Sequence, residues 1–349
     1  MHITVLCKVV DNYGDIGVCW RMCRRLKKIA PQNTISLVVD NFDTFEKIEP
    51  RVIAPFDRLR DHEVKQSIQI EGIDIYNWHD DNNCHKVFSA NDGERLSIIL
   101  ECFQCGRPDW MEKILFEEKL ERTVQIIMID YLTAEKYAED FHCLKSLTRS
   151  AKVQKVNFMP GFTEKTGGLI IDDEWSQLPE WNENGPVLVF TYTMGKGLIE
   201  SSGSLRLSKG PLLKPLPFMP QPEWDKMMKQ CSALIIRGEE SMSRACLSGI
   251  PFIWQAYPQS EEYQLVKVKA LLERMRGHFD EEAFEIVEKA WMSINTNDII
   301  ERLSKAPYDT FFQNLKFLRP GFLSFAQSLQ KNGDLCTNLM TFINKIAII

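Results

Sequence analysis

The sequence predicts an α/β protein built from two doubly wound domains with a cleft between them. Strand-like and helix-like segments alternate through the first half; a stretch bearing glycines and prolines, 160–186, interrupts them; and the alternation restarts at Val187. The 349 residues also exceed the usual size of one hydrophobic core.

The buried-looking run from Ile3 to Val10 supplies the first strand, taken as Thr4–Val10. A helix is expected over Ile16–Ala30, because Ile16, Cys19, Trp20, Cys23 and Leu26 recur on one face. Strands follow at Ile35–Val39, Ile73–Asn77, Leu96–Glu101, Val124–Asp130 and Val153–Phe158, and helices at Trp110–Arg122 and Ala134–Leu147. Such alternation implies a parallel sheet. In the second half, strands are expected at Val187–Tyr192, Ala233–Arg237 and Pro251–Trp254. Helices are expected at Gly197–Ser201, Glu223–Lys229 and Ser241–Leu247, and from Ser260 onward the pattern is almost entirely helical. The segment Asp334–Ile349 carries Leu335, Leu339, Phe342, Ile343 and Ile346 on one helical face.

Composition narrows the function. A net charge of −6 argues against a general nucleic-acid binder, which needs a basic excess. No apolar run is long enough to span a bilayer, so no membrane partner is expected. The start, Met1-His2-Ile3-Thr4, lacks the features of a signal peptide, and a cytoplasmic protein is expected. Of ten cysteines, Cys7, Cys19, Cys23, Cys102, Cys231 and Cys246 lie in apolar-periodic segments, where a thiol acts as a small hydrophobe. Cys102 and Cys105 form a lone CxxC with no second pair, which is weak evidence for zinc or redox work.

The most informative stretch is Val9-Val10-Asp11-Asn12-Tyr13-Gly14-Asp15-Ile16-Gly17-Val18. A strand stops at acids and glycines and a helix begins, an arrangement that points backbone N–H groups at a ligand. Tyr13, Gly14 and Gly17 are therefore candidate donor-site residues. Asp11 and Asp15 are poor companions for a phosphate, and a carboxylate at such a mouth suits a general base.

A second constellation, Leu234-Ile235-Ile236-Arg237-Gly238-Glu239-Glu240-Ser241, repeats the logic. Arg237 is a fixed cation beside a helix N-terminus, suited to a diphosphate, and Glu239, Glu240 and Ser241 are placed for sugar hydroxyls or phosphate. An ordinary capped helix has the same pattern, since acids in a first turn complement the macrodipole. In Leu216-Pro217-Phe218-Met219-Pro220-Gln221-Pro222 the prolines stiffen the chain around Phe218 and Gln221. A ring and an amide so held suit base recognition, or simple loop packing. Phe190-Thr191-Tyr192 closes a strand where side chains reach the cleft, and the aromatics of Pro251–Gln259 suit packing. The basic run Arg21, Arg24, Arg25, Lys27 and Lys28 reads as a solvated helix face or a patch for an acidic partner. No Asp-x-Asp, Gly-x-Gly-x-x-Gly or P-loop occurs, so no metal site or dinucleotide cofactor is expected.

The segment Asp11 to Arg21, DNYGDIGVCWR, closely resembles the N-terminal signature of the EarP family, bacterial protein-arginine rhamnosyltransferases acting on elongation factor P. Phe190-x-Tyr192, Leu216-Pro217-Phe218-x-Pro220-Gln221-Pro222, Arg237-Gly238-Glu239-Glu240-Ser241 and Tyr257-Pro258-Gln259 continue the resemblance in the family's order. It implies a GT-B glycosyltransferase fold, two Rossmann-like domains facing a central cleft. Residues 1–165 form the acceptor-binding domain, with helix 334–349 packing back on it, and 166–333 the donor domain. It implies dTDP-β-L-rhamnose as donor, the N-terminal domain of elongation factor P as acceptor, inversion at the anomeric carbon, and neither metal nor cofactor. Asp15 matches the family's base, Asp11 its supporting carboxylate and Glu239 its required glutamate. Phe218 and Gln221 match thymine contacts, and Tyr192, Arg237, Glu240 and Ser241 positions near the diphosphate and sugar. Two departures stand out: the family usually has aspartate at Glu240 and His-Ile-Tyr at Gln255-Ala256-Tyr257. A GT-B enzyme with another sugar or acceptor, or an inactive module that docks a translation factor, remains compatible with the residues.

Overall fold

The computed structural model describes residues 1–10, 12–52, 67–191, 205–206, 212–215 and 219–347. The chain divides into two compact units. The first contains Met1–Leu132, Tyr137–Ile170 and Asp334–Ile349; the second contains Thr133–Lys136 and Ile171–Gly333.

The first unit is built on β1 (His2–Cys7), β2 (Thr34–Val39), β3 (Ile68–Ile70), β4 (Ile73–Asn77), β5 (Ile98–Cys102), β6 (Val124–Ile129), β7 (Lys145–Ser146) and β8 (Val153–Phe158). Their order is β3-β4-β2-β1-β5-β6-β8-β7. The inner strands run parallel, and β3 and β7 add antiparallel edges. Helices α1 (Asn12–Ile29), α2 (Phe42–Ile48), α3 (Asp81–Gly93), α4 (Asp109–Phe116) and α5 (Tyr137–Phe141) connect them. The predicted face of α1 is buried, with Trp20 edge-on to Phe45 at 5.3 Å.

Several expectations need correction. The strand expected to reach Val10 ends at Cys7, because the next amides turn to side chains. The helix expected over Ala134–Leu147 is only α5. Beyond it Cys143 takes a left-handed φ of 62°, and Cys143 and Leu144 bond to Asn157, so the chain joins the open edge of β8 instead. The helix expected to Arg122 stops at Phe116. Among its described residues the polar α3 fully buries only Cys84 and Phe88, too faint a period to read in the sequence. The helix expected at Gly197–Ser201 lies outside the described residues.

Part of the basic run of α1 is drawn into the fold, while Lys28 stays exposed as on a solvated face. Arg25 pairs with Asp334 at 3.0 Å, Arg24 with Glu71 at 2.9 Å, and Lys27 donates to the carbonyls of Pro31 and Asn33. Arg21 is buried. Asp334 also accepts from the Thr337 amide at the start of the C-terminal helix, Leu335–Ala347. That helix packs Leu335, Cys336, Leu339, Met340 and Ile343 into the same core as Trp20 and Leu26. The loop before residue 170 meets it closely: a Cβ at Gly167 would lie 2.7 Å from Leu335, and Asn338 donates to the Gly167 carbonyl.

The second unit contains β9 (Val187–Val189), β10 (Leu205–Arg206), β11 (Leu212–Pro215), β12 (Ala233–Arg237) and β13 (Phe252–Gln255), in the order β10-β11-β9-β12-β13. All pairs but β10–β11 are parallel. Helices α6 (Gln221–Lys229) and α7 (Glu239–Ser248) lie between its strands. The predicted helical tail begins with α8 (Tyr263–Arg276) and α9 (Glu281–Asn295).

All ten cysteines carry free thiols. Burial pushes Cys84 up to about 12 and Cys231 to about 11, so both stay protonated near neutrality and behave as packing groups. Among the described residues, no helix is long and apolar enough to cross a membrane.

Leu339→Ala should test the anchoring of the C-terminal helix. Leu339 is fully buried in the shared core. Its truncation is expected to lower the unfolding free energy by about 2–5 kcal/mol. Urea titration followed by tryptophan fluorescence checks this; a loss below about 1 kcal/mol would show that the helix is peripheral.

Candidate functional site

Each sheet reverses its strand order at one point, and open α/β sheets bind ligands at the carboxyl ends of strands there. In the first unit the reversal falls between β1 and β5. Lys8–Val10 leaves β1 and is held by two carboxylates: Asp40 accepts the Val9 amide and Asp15 the Val10 amide, both at 2.8 Å. Asp15 stands in the first turn of α1 and is only 2% exposed. The bond to the Val10 amide fixes the orientation of the Asp15 carboxylate, as a general base requires.

Helix α1 starts at Asn12, earlier than the sequence suggested. Gly14 and Gly17 therefore lie inside its first turns rather than in a loop, and neither takes a positive φ. Tyr13 is half-buried against the core. Asp11 lies outside the described residues.

In the second unit the reversal falls between β9 and β12. Phe190 follows β9 and donates its amide to the Ile235 carbonyl at 2.8 Å. Its ring is packed between Arg237, whose guanidinium lies 4.4 Å from the centroid, and Trp224 of α6, edge-on at 4.9 Å. Arg237, at the end of β12, is thus stacked on an aromatic face. Gln221 opens α6 and is buried. Tyr192 and Phe218 lie outside the described residues.

The chain turns into α7 at Gly238, with φ 73° and ψ 168°, a conformation essentially restricted to glycine. The Trp254 indole donates to the Gly238 carbonyl at 3.1 Å. Glu239 follows, its carboxylate 3.5 Å from Lys267 Nζ. Glu240 lies 3.7 Å from the buried Arg244. Ser241 is half-buried beside them. The structure therefore gathers Phe190, Arg237, Glu239, Glu240 and Ser241 about one strand end, with Gln221 on the neighbouring helix.

Sequence reasoning missed four contributors. Trp254 reads as a packing residue in the sequence and Trp224 carries no signal there, but one holds Gly238 and the other backs Phe190. Asn295 and Lys267 lie in the helical tail, far along the chain from any motif; no sequence signal marks them.

The chain has recognisable relatives among known proteins. The family described as Elongation-Factor P (EF-P) rhamnosyltransferase EarP matches residues 3–185 and 189–344. A protein-arginine rhamnosyltransferase of Shewanella oneidensis is 26% identical, over 99% of this chain and 98% of its own. One from Pseudomonas aeruginosa is also 26% identical, over 83% of this chain and 86% of its own. The solved structure of a UDP-glucose: anthocyanidin 3-O-glucosyltransferase in complex with UDP is similar in fold, with a TM-score of 0.53 and 11% identity over 100% of this chain and 99% of that one. The fold is GT-B, with a Rossmann-like sheet in each unit.

Gly238→Ala is expected to cost about 1–3 kcal/mol through backbone strain. The same change should shift the start of α7 and weaken binding of a nucleoside diphosphate. Calorimetric titration alongside thermal unfolding checks both; unchanged binding would separate this turn from the ligand site.

Proposed function

Because this chain belongs to the EarP family of elongation-factor P rhamnosyltransferases, we propose that it moves rhamnose from dTDP-β-L-rhamnose to an arginine of elongation factor P, inverting the anomeric carbon without a metal. The observation that most supports this is the reach of the family match, which runs through both units rather than one nucleotide-binding half.

The chemistry explains the residues. A guanidinium has a pKa above about 12 and delocalised lone pairs, so it is a poor nucleophile. An arginine nitrogen forms a bond to C1 of rhamnose while the bond from C1 to the diphosphate oxygen breaks, its electron pair leaving with dTDP. The proton of that nitrogen passes to Asp15, with Asp11 as the supporting carboxylate. Arg237 and the first amides of α7 meet the charge that grows on the diphosphate. Phe218 and Gln221 take the thymine; Tyr192, Glu240 and Ser241 lie along the diphosphate and sugar. Phe190 keeps Arg237 in place, and Tyr13, Gly14 and Gly17 contribute the first unit's share of the donor site. The acceptor is the N-terminal domain of elongation factor P, which holds its arginine in a fixed geometry.

Glu240, one methylene longer than the family's usual aspartate, favours a second reading in which the same reaction uses a different nucleotide sugar. Intact-mass analysis of elongation factor P after incubation with the enzyme and dTDP-rhamnose decides between them. A single deoxyhexose on one arginine is expected. No shift with dTDP-rhamnose, and a shift with another nucleotide sugar, would establish the second reading.

Asp15→Asn should lower turnover by at least about 100-fold, since an amide cannot accept the proton. Its oxygen can still accept the Val10 amide, so the fold and dTDP affinity should change little. Near-normal turnover in that variant would remove Asp15 from the base role.

A further inference from the structure

Helix α8 contains two lysines in close succession, Lys267 and Lys269, with different fates. Lys269 is exposed, as expected of a surface lysine, whereas Lys267 is largely covered and points its ammonium at Glu239, 3.5 Å away. A part-exposed pair of this kind contributes little to stability. Its placement needs another explanation.

The surroundings form a closed circuit of contacts. The Gly238 carbonyl accepts from Trp254, and the Trp254 carbonyl accepts from the buried Asn295 amide at 2.7 Å. Asn295 also takes the Ala256 amide at 2.8 Å, and its own carbonyl accepts from Gln264 at 3.1 Å. Gln264 is buried in the first turn of α8, and accepts from the Gln259 amide at 3.0 Å. Lys267 stands one turn further along the same helix and returns to Glu239, the neighbour of Gly238. The backbone of the turn is thus fixed through Trp254, and the side chain beyond it through Lys267. Both holds are anchored in the same buried amides.

From this circuit we infer that Lys267 is a positioning residue: its ammonium holds the Glu239 carboxylate at the start of α7 in the orientation that rhamnosyl transfer requires. The inference rests on the proposed function in that Glu239 serves the reaction. Lys267 acts through Glu239 and needs no contact with the sugar or nucleotide. Losing it should therefore lower kcat and leave the donor KM nearly unchanged.

The test is a double-mutant cycle on the full-length enzyme with dTDP-rhamnose and elongation factor P, and in parallel with UDP-glucose and dTDP-glucose. Lys267→Met is expected to reduce kcat about tenfold or more, with donor KM within about twofold and an unchanged melting temperature. Lys267→Arg should recover most of the rate, because it restores the cation. In a Glu239→Gln background, Lys267→Met should cause no further loss. A normal kcat in Lys267→Met overturns the inference. So does a raised donor KM with kcat intact, which would make Lys267 a donor ligand, or a rate loss that adds in full to that of Glu239→Gln. Wild-type turnover only with another nucleotide sugar overturns the donor assignment alone, and the cycle is then read with that sugar. No turnover with any sugar overturns both.

Discussion

A parallel strand that stops leaves backbone amides and carbonyls with no neighbouring strand, and a buried group left unmade costs roughly 1–3 kcal/mol. How each unit answers that demand at its strand-order reversal governs the rest of the structure. At the end of β1 the answer is two carboxylates, Asp40 and Asp15, which accept successive amides. At the end of β12 it is a glycine turn whose carbonyl is taken by the Trp254 indole. In both cases the group that closes the backbone also forms the candidate site. Asp15 is held in place by the same bond that ends the strand.

The second unit extends this principle through aromatic and amide side chains. Phe190 lies between a tryptophan edge and the Arg237 guanidinium, so an aromatic face helps to orient the cation. Further back, Trp291 donates to the Phe252 carbonyl at 2.8 Å, and Asn295 serves Trp254 and Ala256 from one side chain. These buried bonds make the carboxyl end of β13 rigid. Buried polar groups that are fully answered confer this kind of uniqueness on a core.

The cations of α1 show the opposite use of charge. Arg25 and Lys27 are consumed internally, one capping the return of the C-terminal helix through Asp334 and the other binding the carbonyls of Pro31 and Asn33. Part of a run that reads as a solvated face or a partner patch is therefore scaffold. The thiols behave alike: eight of the ten are buried, and they fill space.

The sequence by itself determined the alternation of strands and helices, the apolar face of α1, and the two strand-to-helix junctions that carry acids and arginine. Those features are local: periodicity, glycine placement and charge all act within a few residues. Even locally it erred where competing partners decide, as when Cys143 and Leu144 leave a helix to pair with β8. Tertiary structure alone decided that Asp15 is buried against the Val10 amide, that Phe190 carries Arg237, and that Asn295 and Lys267 reach Gly238 and Glu239 through α8 and β13. The physical reason is separation along the chain. A side chain 28 positions from its partner leaves no periodic trace, and only the packing of helix on sheet brings the two within bonding distance.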